Sequence, residues 1–107
     1  MMNLIAFDTS THMCSVALQV NGKEYLHEEV APRRHTELIL PMIQDLLKQA
    51  GCQLSDCDAI AFGQGPGSFM GVRFAASIAQ GLSFTHNIPC IKVSTLHALA
   101  QKLALSH

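Results

Sequence analysis

Ala59-Ile60-Ala61-Phe62, followed by Gly63-Gln64-Gly65-Pro66-Gly67-Ser68-Phe69-Met70-Gly71-Val72-Arg73, is the stretch that decides the fold. A short apolar run, a glycine-rich turn and a long Ala-rich segment predict strand, turn and helix in that order. Gly65 and Gly67 permit backbone angles closed to residues with a Cβ, and Pro66 stiffens the turn between them. The first N–H groups of the helix have no partner inside it, so such a turn suits an anion, a carboxylate or another chain. Two familiar uses of a glycine turn do not fit. A Walker A loop needs Gly-Lys before Ser or Thr, whereas Gly71 precedes Val72 and Arg73. A dinucleotide site needs an acidic residue about twenty positions on, where this chain has His86, Asn87 and Ile88.

Upstream of that stretch the pattern is mostly strand. Asn3 to Phe7 reads as a buried strand ending at Asp8, and Thr9-Ser10-Thr11-His12 turns the chain into a second strand, Cys14 to Val20. Asn21-Gly22 predicts a type I′ hairpin, because both central positions of that turn need positive φ. A third strand runs from Glu24 to about Val30, with Tyr25 starting its buried side. Ala31-Pro32-Arg33-Arg34 then breaks the alternation. Helical spacing follows, with Leu38, Met42 and Leu46 at steps of four and Ile39, Ile43 and Leu47 beside them. Pro41 is expected to bend this helix near its first turns, and Gly51 to end it.

Downstream, a second helix from Ser68 to Ser83 carries Gly71, Ala75 and Ala79 on one ridge, where small residues let another element come close. Pro89 to Val93 is a fifth strand, and Ser94 or Thr95 caps a third helix through Leu103. The order β-β-β-α-β-α-β-α predicts an α/β fold: a three-strand antiparallel meander plus two parallel strands in one mixed five-stranded sheet, with three helices. The link through the first helix should return the chain beside the first strand. This is the topology of a ribonuclease-H-like lobe, half of an actin-like ATPase (ASKHA) fold.

A length of 107 residues allows one modest domain or one lobe of a larger protein. Only 14% of the residues are charged and the net charge is −1, so the surface is short of charge and leaves apolar area for a partner. Lysines and arginines are scattered, which excludes the basic stripe of a nucleic-acid groove. Cys14, Cys52, Cys57 and Cys90 form no CxxC pair, and no signal peptide precedes the first strand, so free thiols in a reducing cytoplasm are expected. The apolar stretches are too short to cross a bilayer.

Ile5-Ala6-Phe7-Asp8-Thr9-Ser10-Thr11 with Cys14-Ser15-Val16-Ala17-Leu18 resembles the opening of the TsaB (YeaZ) family. His35-Thr36-Glu37, Leu40-Pro41-Met42, Asp58 through Gly63, Gly65-Pro66-Gly67-Ser68-Phe69, Gly71-Val72-Arg73 and Val93-Ser94-Thr95-Leu96 continue the likeness over essentially all of the chain. Met70 departs from it, standing where the family usually has Thr. The resemblance implies an actin-like fold of two lobes, with residues 1–107 as a single N-terminal lobe and the second lobe missing. It also implies a part in making threonylcarbamoyladenosine (t6A) in tRNA, as a non-catalytic scaffold for the catalytic subunit TsaD together with the ATPase TsaE. A homodimer is implied where TsaD is lacking, and contact with tRNA only through the complex. TsaD carries a His-x-x-x-His metal pair whose positions match Thr95 and Leu99 here, neither a good metal ligand, so no metal and no cofactor are expected.

In actin-like kinases an aspartate at the place of Asp8 helps hold the metal of a nucleotide. Asp8, Thr9, Ser10 and Thr11, with Gly65 and Gly67, are therefore the candidate phosphate-facing turns for weak nucleotide binding. An Asx or Ser/Thr turn satisfying its own backbone accounts for the same residues. A nucleotide-dependent enzyme of the actin-like kinase type is the alternative function. A metallopeptidase homologue is a further one, which the lack of His-Glu-x-x-His spacing disfavours.

The first helix has more apolar surface than one sheet contact needs. Leu38, Met42 and Leu46 are thus candidate partner-facing residues, with Phe69, Phe74 and Ile78 on the second helix and Gly71, Ala75 and Ala79 along its ridge. On that reading Leu46→Glu turns a dimer into a folded monomer.

Overall fold

A computed structural model of the chain describes residues 2–9, 13–30, 35–63 and 69–93. The described elements are strands β1 (Leu4–Asp8), β2 (Met13–Val20), β3 (Lys23–Val30), β4 (Ala59–Gly63) and β5 (Cys90–Val93). Helices α1 (His35–Ala50) and α2 (Phe69–His86) join them, with one 3-10 turn at Leu54–Asp56. The expected third helix falls on residues 94–103, outside the described ones.

The strands form one sheet in the order β3-β2-β1-β4-β5. β1 pairs antiparallel with β2, and β2 with β3, while β4 lies parallel to β1 and β5 parallel to β4. The meander and the return of the chain beside β1 are as the sequence predicts. Asn21 (φ 53) and Gly22 (φ 80) take the positive angles of the expected hairpin turn.

One sheet face is greasy and covered by both helices. Ile5, Phe7, Val16, Leu18, Ile60 and Phe62 meet Ile39, Met42, Ile43 and Leu46 of α1 and Ala75 and Ala79 of α2 in one buried cluster. α1 rests on β2 and β3, and α2 mainly on β4. Large side chains fill the gap under α1, at roughly 1.5–3 kcal/mol for each one fully buried. Alanines let the α2 backbone lie closer to the sheet. The opposite face is built from smaller groups, with Leu4, Ala6, Ala59, Ala61 and Val93 buried along β1, β4 and β5.

Each helix ends at a residue in the left-handed region. Gly51 (φ 68) follows α1, with Gly51 N–H donating to Lys48 O at 3.1 Å and Cys52 N–H to Leu47 O at 3.1 Å. That is a Schellman motif. α2 runs past the expected Ser83 to His86 because nothing in Phe84-Thr85-His86 breaks a helix. Asn87 (φ 55) then plays the role of the terminal glycine, and Ile88 N–H donates to Ser83 O at 3.1 Å. α1 continues through Pro41, which is exposed on its outer side.

At the edge where β1 and β4 begin, Asn3 joins three segments. Its Oδ1 accepts from Asn21 N–H at 3.1 Å, and its Nδ2 donates to Asp56 O at 3.0 Å. Its backbone N–H donates to Asp58 Oδ2 at 2.7 Å, and its carbonyl accepts from Asp58 N–H at 2.7 Å.

Candidate functional site

β1, β4 and β5 run the same way, so Asp8, Gly63 and Val93 end at one edge of the sheet. In open α/β sheets ligands settle outside the carboxyl ends of parallel strands. Register places Phe7 beside Phe62, and therefore Asp8 beside Gly63 on the smaller-residue face. The fit between the two is close. A Cβ built on Gly63 would stand 2.5 Å from Asp8 Cγ and 3.0 Å from Asp8 Cβ, distances that real Cβ atoms do not tolerate. Gly63 is glycine because the Asp8 carboxyl occupies the space a side chain would need. Thr9 follows, only 1% exposed. Ser10 and Thr11, and Gly65 and Gly67 of the glycine turn, lie outside the described residues.

Nucleophilic sulfur is muted. Cys14 is buried in β2, and its thiol is pushed up from 9.0 to about 11, chiefly by burial and then by Glu29 and Asp8. Cys57 is pushed up to about 12, again first by burial. Cys52 and Cys90 move in the same direction. A thiol near 11 is ionised to only roughly one part in a thousand at pH 8. Thiol reagents at pH 8 are therefore expected to leave Cys14 and Cys57 unmodified in the folded chain and to label both in denaturant; mass spectrometry after alkylation checks this. Because each folded pKa lies above the unfolded one, the associated stability is intact below pH 9 and is lost as pH rises toward 11. Among the described residues no group of three or more His, Cys, Asp or Glu gathers as a metal ion requires. Nor is any described helix long and apolar enough to cross a membrane.

Four of the residues expected to face a partner are placed otherwise. Met42 (2% exposed), Leu46 (1%), Ala75 and Ala79 (both 0%) are sealed into the chain's own core. Leu38, Phe74 and Ile78 are half-buried against that core. The centre of the α1 stripe is covered by β2 and β3, and Ala75 and Ala79 of the α2 ridge by the sheet beneath them. Phe69 and Gly71 start α2, but their side chains lie outside the described set.

Other groups face outward on these helices. Phe84 is 91% exposed and Leu40 is 43% exposed. Phe84 shares an exposed ridge of α2 with Ser77, Gln80 and Gly81, and nothing lies within 4 Å of a Cβ built on Gly81. A mid-helix glycine costs about 0.5–1 kcal/mol against alanine, and no neighbour in this fold requires one there. The signal in the sequence is an aromatic residue among small and polar ones at helical spacing.

Comparison with known proteins places this geometry. Over 94% of its length the chain is 51% identical to the tRNA threonylcarbamoyladenosine biosynthesis protein TsaB of Escherichia coli (strain K12), and 52% identical to the protein of the same name from Haemophilus influenzae. The solved structure of YeaZ from Pseudomonas aeruginosa superposes on 95% of the chain with a TM-score of 0.87 at 53% identity. This chain belongs to the TsaB (YeaZ) family. The family model described as TsaD, tRNA N6-adenosine threonylcarbamoyltransferase, matches residues 24–107. The chain covers 43% of the E. coli protein and 48% of the P. aeruginosa chain, so it spans less than half the length of these relatives.

Proposed function

We propose that this chain is a non-catalytic scaffold in t6A synthesis. It forms one actin-like (ASKHA) lobe that binds a TsaD-type catalytic subunit, works with the ATPase TsaE in the cytoplasm, and meets tRNA only through that complex. The observation that carries the proposal is the exposed ridge of α2, where Phe84 stands 91% exposed beside the open notch at Gly81. A knob and a notch on one helix suit packing against a helix of a similarly folded subunit. Identity above 50% to proteins named for t6A biosynthesis supports the pathway, and the raised cysteine pKa values support a structural role for the thiols. With TsaD lacking, the same ridge pairs with a second copy.

The test is a binding titration against a TsaD subunit, alongside tRNA modification by TsaD and TsaE with and without the chain. Phe84→Lys is expected to weaken binding at least tenfold while leaving the thermal midpoint unchanged. Unaltered binding by that variant would remove the ridge from the interface. One observation favours a second reading: Asp8 seated against Gly63 at the carboxyl edge is where a nucleotide's metal would sit in an actin-like kinase. Calorimetric titration of ATP with Mg²⁺ separates the two, saturation at micromolar levels favouring the enzyme.

A further inference from the structure

The chain holds three asparagines, Asn3, Asn21 and Asn87, and the fold treats their amides differently. A side-chain amide is lost when the backbone nitrogen of the next residue attacks Cγ. That attack needs an amide free to turn, a nitrogen with no other bond to keep, and little bulk beside it. Asn3 lacks the freedom to turn. Its Oδ1 accepts from Asn21 N–H at 3.1 Å, and its Nδ2 donates to Asp56 O at 3.0 Å. Asn87 lacks a willing nitrogen, because Ile88 N–H already donates to Ser83 O at 3.1 Å and Ile88 is buried and β-branched. Asn21 meets all three conditions. It is exposed at the tip of the β2–β3 hairpin, and Gly22 behind it has no side chain. Among the described residues, neither the Asn21 side chain nor Gly22 N–H has a hydrogen-bond partner.

We infer that Asn21 is a site of spontaneous deamidation and isomerisation in the folded chain, with water as the only co-reactant. Gly22 N gives up its proton and bonds to Asn21 Cγ; the Cγ–Nδ2 bond breaks, and ammonia leaves with that proton. Water then opens the cyclic imide. Opening at Cγ yields aspartate, while opening at the Asn21 main-chain carbonyl yields isoaspartate. Isoaspartate routes the main chain through the side-chain carbon and so lengthens it by one atom. The turn has no slack for that. It spans two residues between the paired Val20 and Lys23, with Asn21 at φ 53 and Gly22 at φ 80. Because Asn3 Oδ1 accepts from Asn21 N–H, a distorted tip also pulls on the tie between the hairpin and β1. The product exposes a new carboxylate at the turn. The enzyme class that fits it is a methyltransferase that esterifies isoaspartate from S-adenosylmethionine.

The experiment ages the folded chain at pH 8 over days and maps its peptides by mass spectrometry. Isoaspartate is counted by methyl transfer from labelled S-adenosylmethionine with a purified isoaspartyl methyltransferase. Conversion at Asn21 is expected to exceed that at Asn3 and at Asn87 at least tenfold. It is also expected to quicken as pH is raised, since the attacking nitrogen must lose its proton. Methyl acceptance is expected to vanish in Asn21→Gly, whose Gly-Gly pair still closes a two-residue hairpin. Backbone hydrogen exchange across Val20–Lys23 is expected to be faster in the aged chain than in the fresh one. Asn21 surviving in the folded chain while converting in urea would overturn the inference, because the ordered turn would then be holding the amide away from Gly22. Equal conversion at the three asparagines, methyl acceptance persisting in Asn21→Gly, or exchange unchanged by isoaspartate would overturn it as well.

Discussion

Leu46→Glu is expected to leave the chain unfolded rather than to release a monomer. Leu46 is 1% exposed, within the cluster that joins Ile39, Met42 and Ile43 of α1 to Val16 and Leu18 of β2. Truncating such a leucine to alanine removes its contacts and leaves a cavity, at about 2–5 kcal/mol. Glutamate adds the cost of placing a carboxylate where no partner is provided, several kcal/mol more. A domain of this size has only about 5–15 kcal/mol of total stability. Urea denaturation followed by circular dichroism checks the sequence: Leu46→Met within about 1.5 kcal/mol of the parent, Leu46→Ala lower by about 2–5, and Leu46→Glu without a cooperative transition. A folded, monomeric Leu46→Glu protein would show that α1 turns this residue toward a partner instead.

The second large effect is expected at Gly63. Alanine there drives its Cβ into the Asp8 carboxyl, and both residues sit in paired strands with little freedom to retreat. Overpacking of this kind typically costs about 1–3 kcal/mol. If the collision is the cause, shortening Asp8 to alanine should absorb part of it. In a double-mutant cycle the cost of Gly63→Ala is therefore expected to be smaller in the Asp8→Ala background, with a coupling of about 0.5–3 kcal/mol. Additive effects within about 0.5 kcal/mol would mean that the strain lies elsewhere.

Most of the architecture was legible because local signals agreed with one another. Asn21-Gly22 demanded positive φ, the period changed from two to three-and-four after residue 34, and Gly51 stood where a helix must stop. Helix spacing identified which residues of α1 are apolar, but not what would bury them. Leu38, Met42 and Leu46 look the same whether a sheet or a partner covers them, and the five-stranded sheet buries Met42 and Leu46 fully and Leu38 in part. The ridge of α2 misled for a related reason, since small residues permit close approach without naming the neighbour. α2 ends one turn beyond the expected Ser83 because Asn87 takes the positive φ usually given to glycine. The contact between Asp8 and Gly63 depends on strand register, which short buried strands do not announce in sequence.

The two rims of the sheet carry different burdens. On one, a single asparagine ties the hairpin tip, the 3-10 turn and the first strand together through its side chain and backbone alike. On the other lie the strand ends from which the hydroxyl-rich and glycine-rich segments depart. The knot at Asn3 and the close fit of Asp8 against Gly63 thus pin β1 and β4 together from opposite ends, so the pair is fastened at both rims of the sheet.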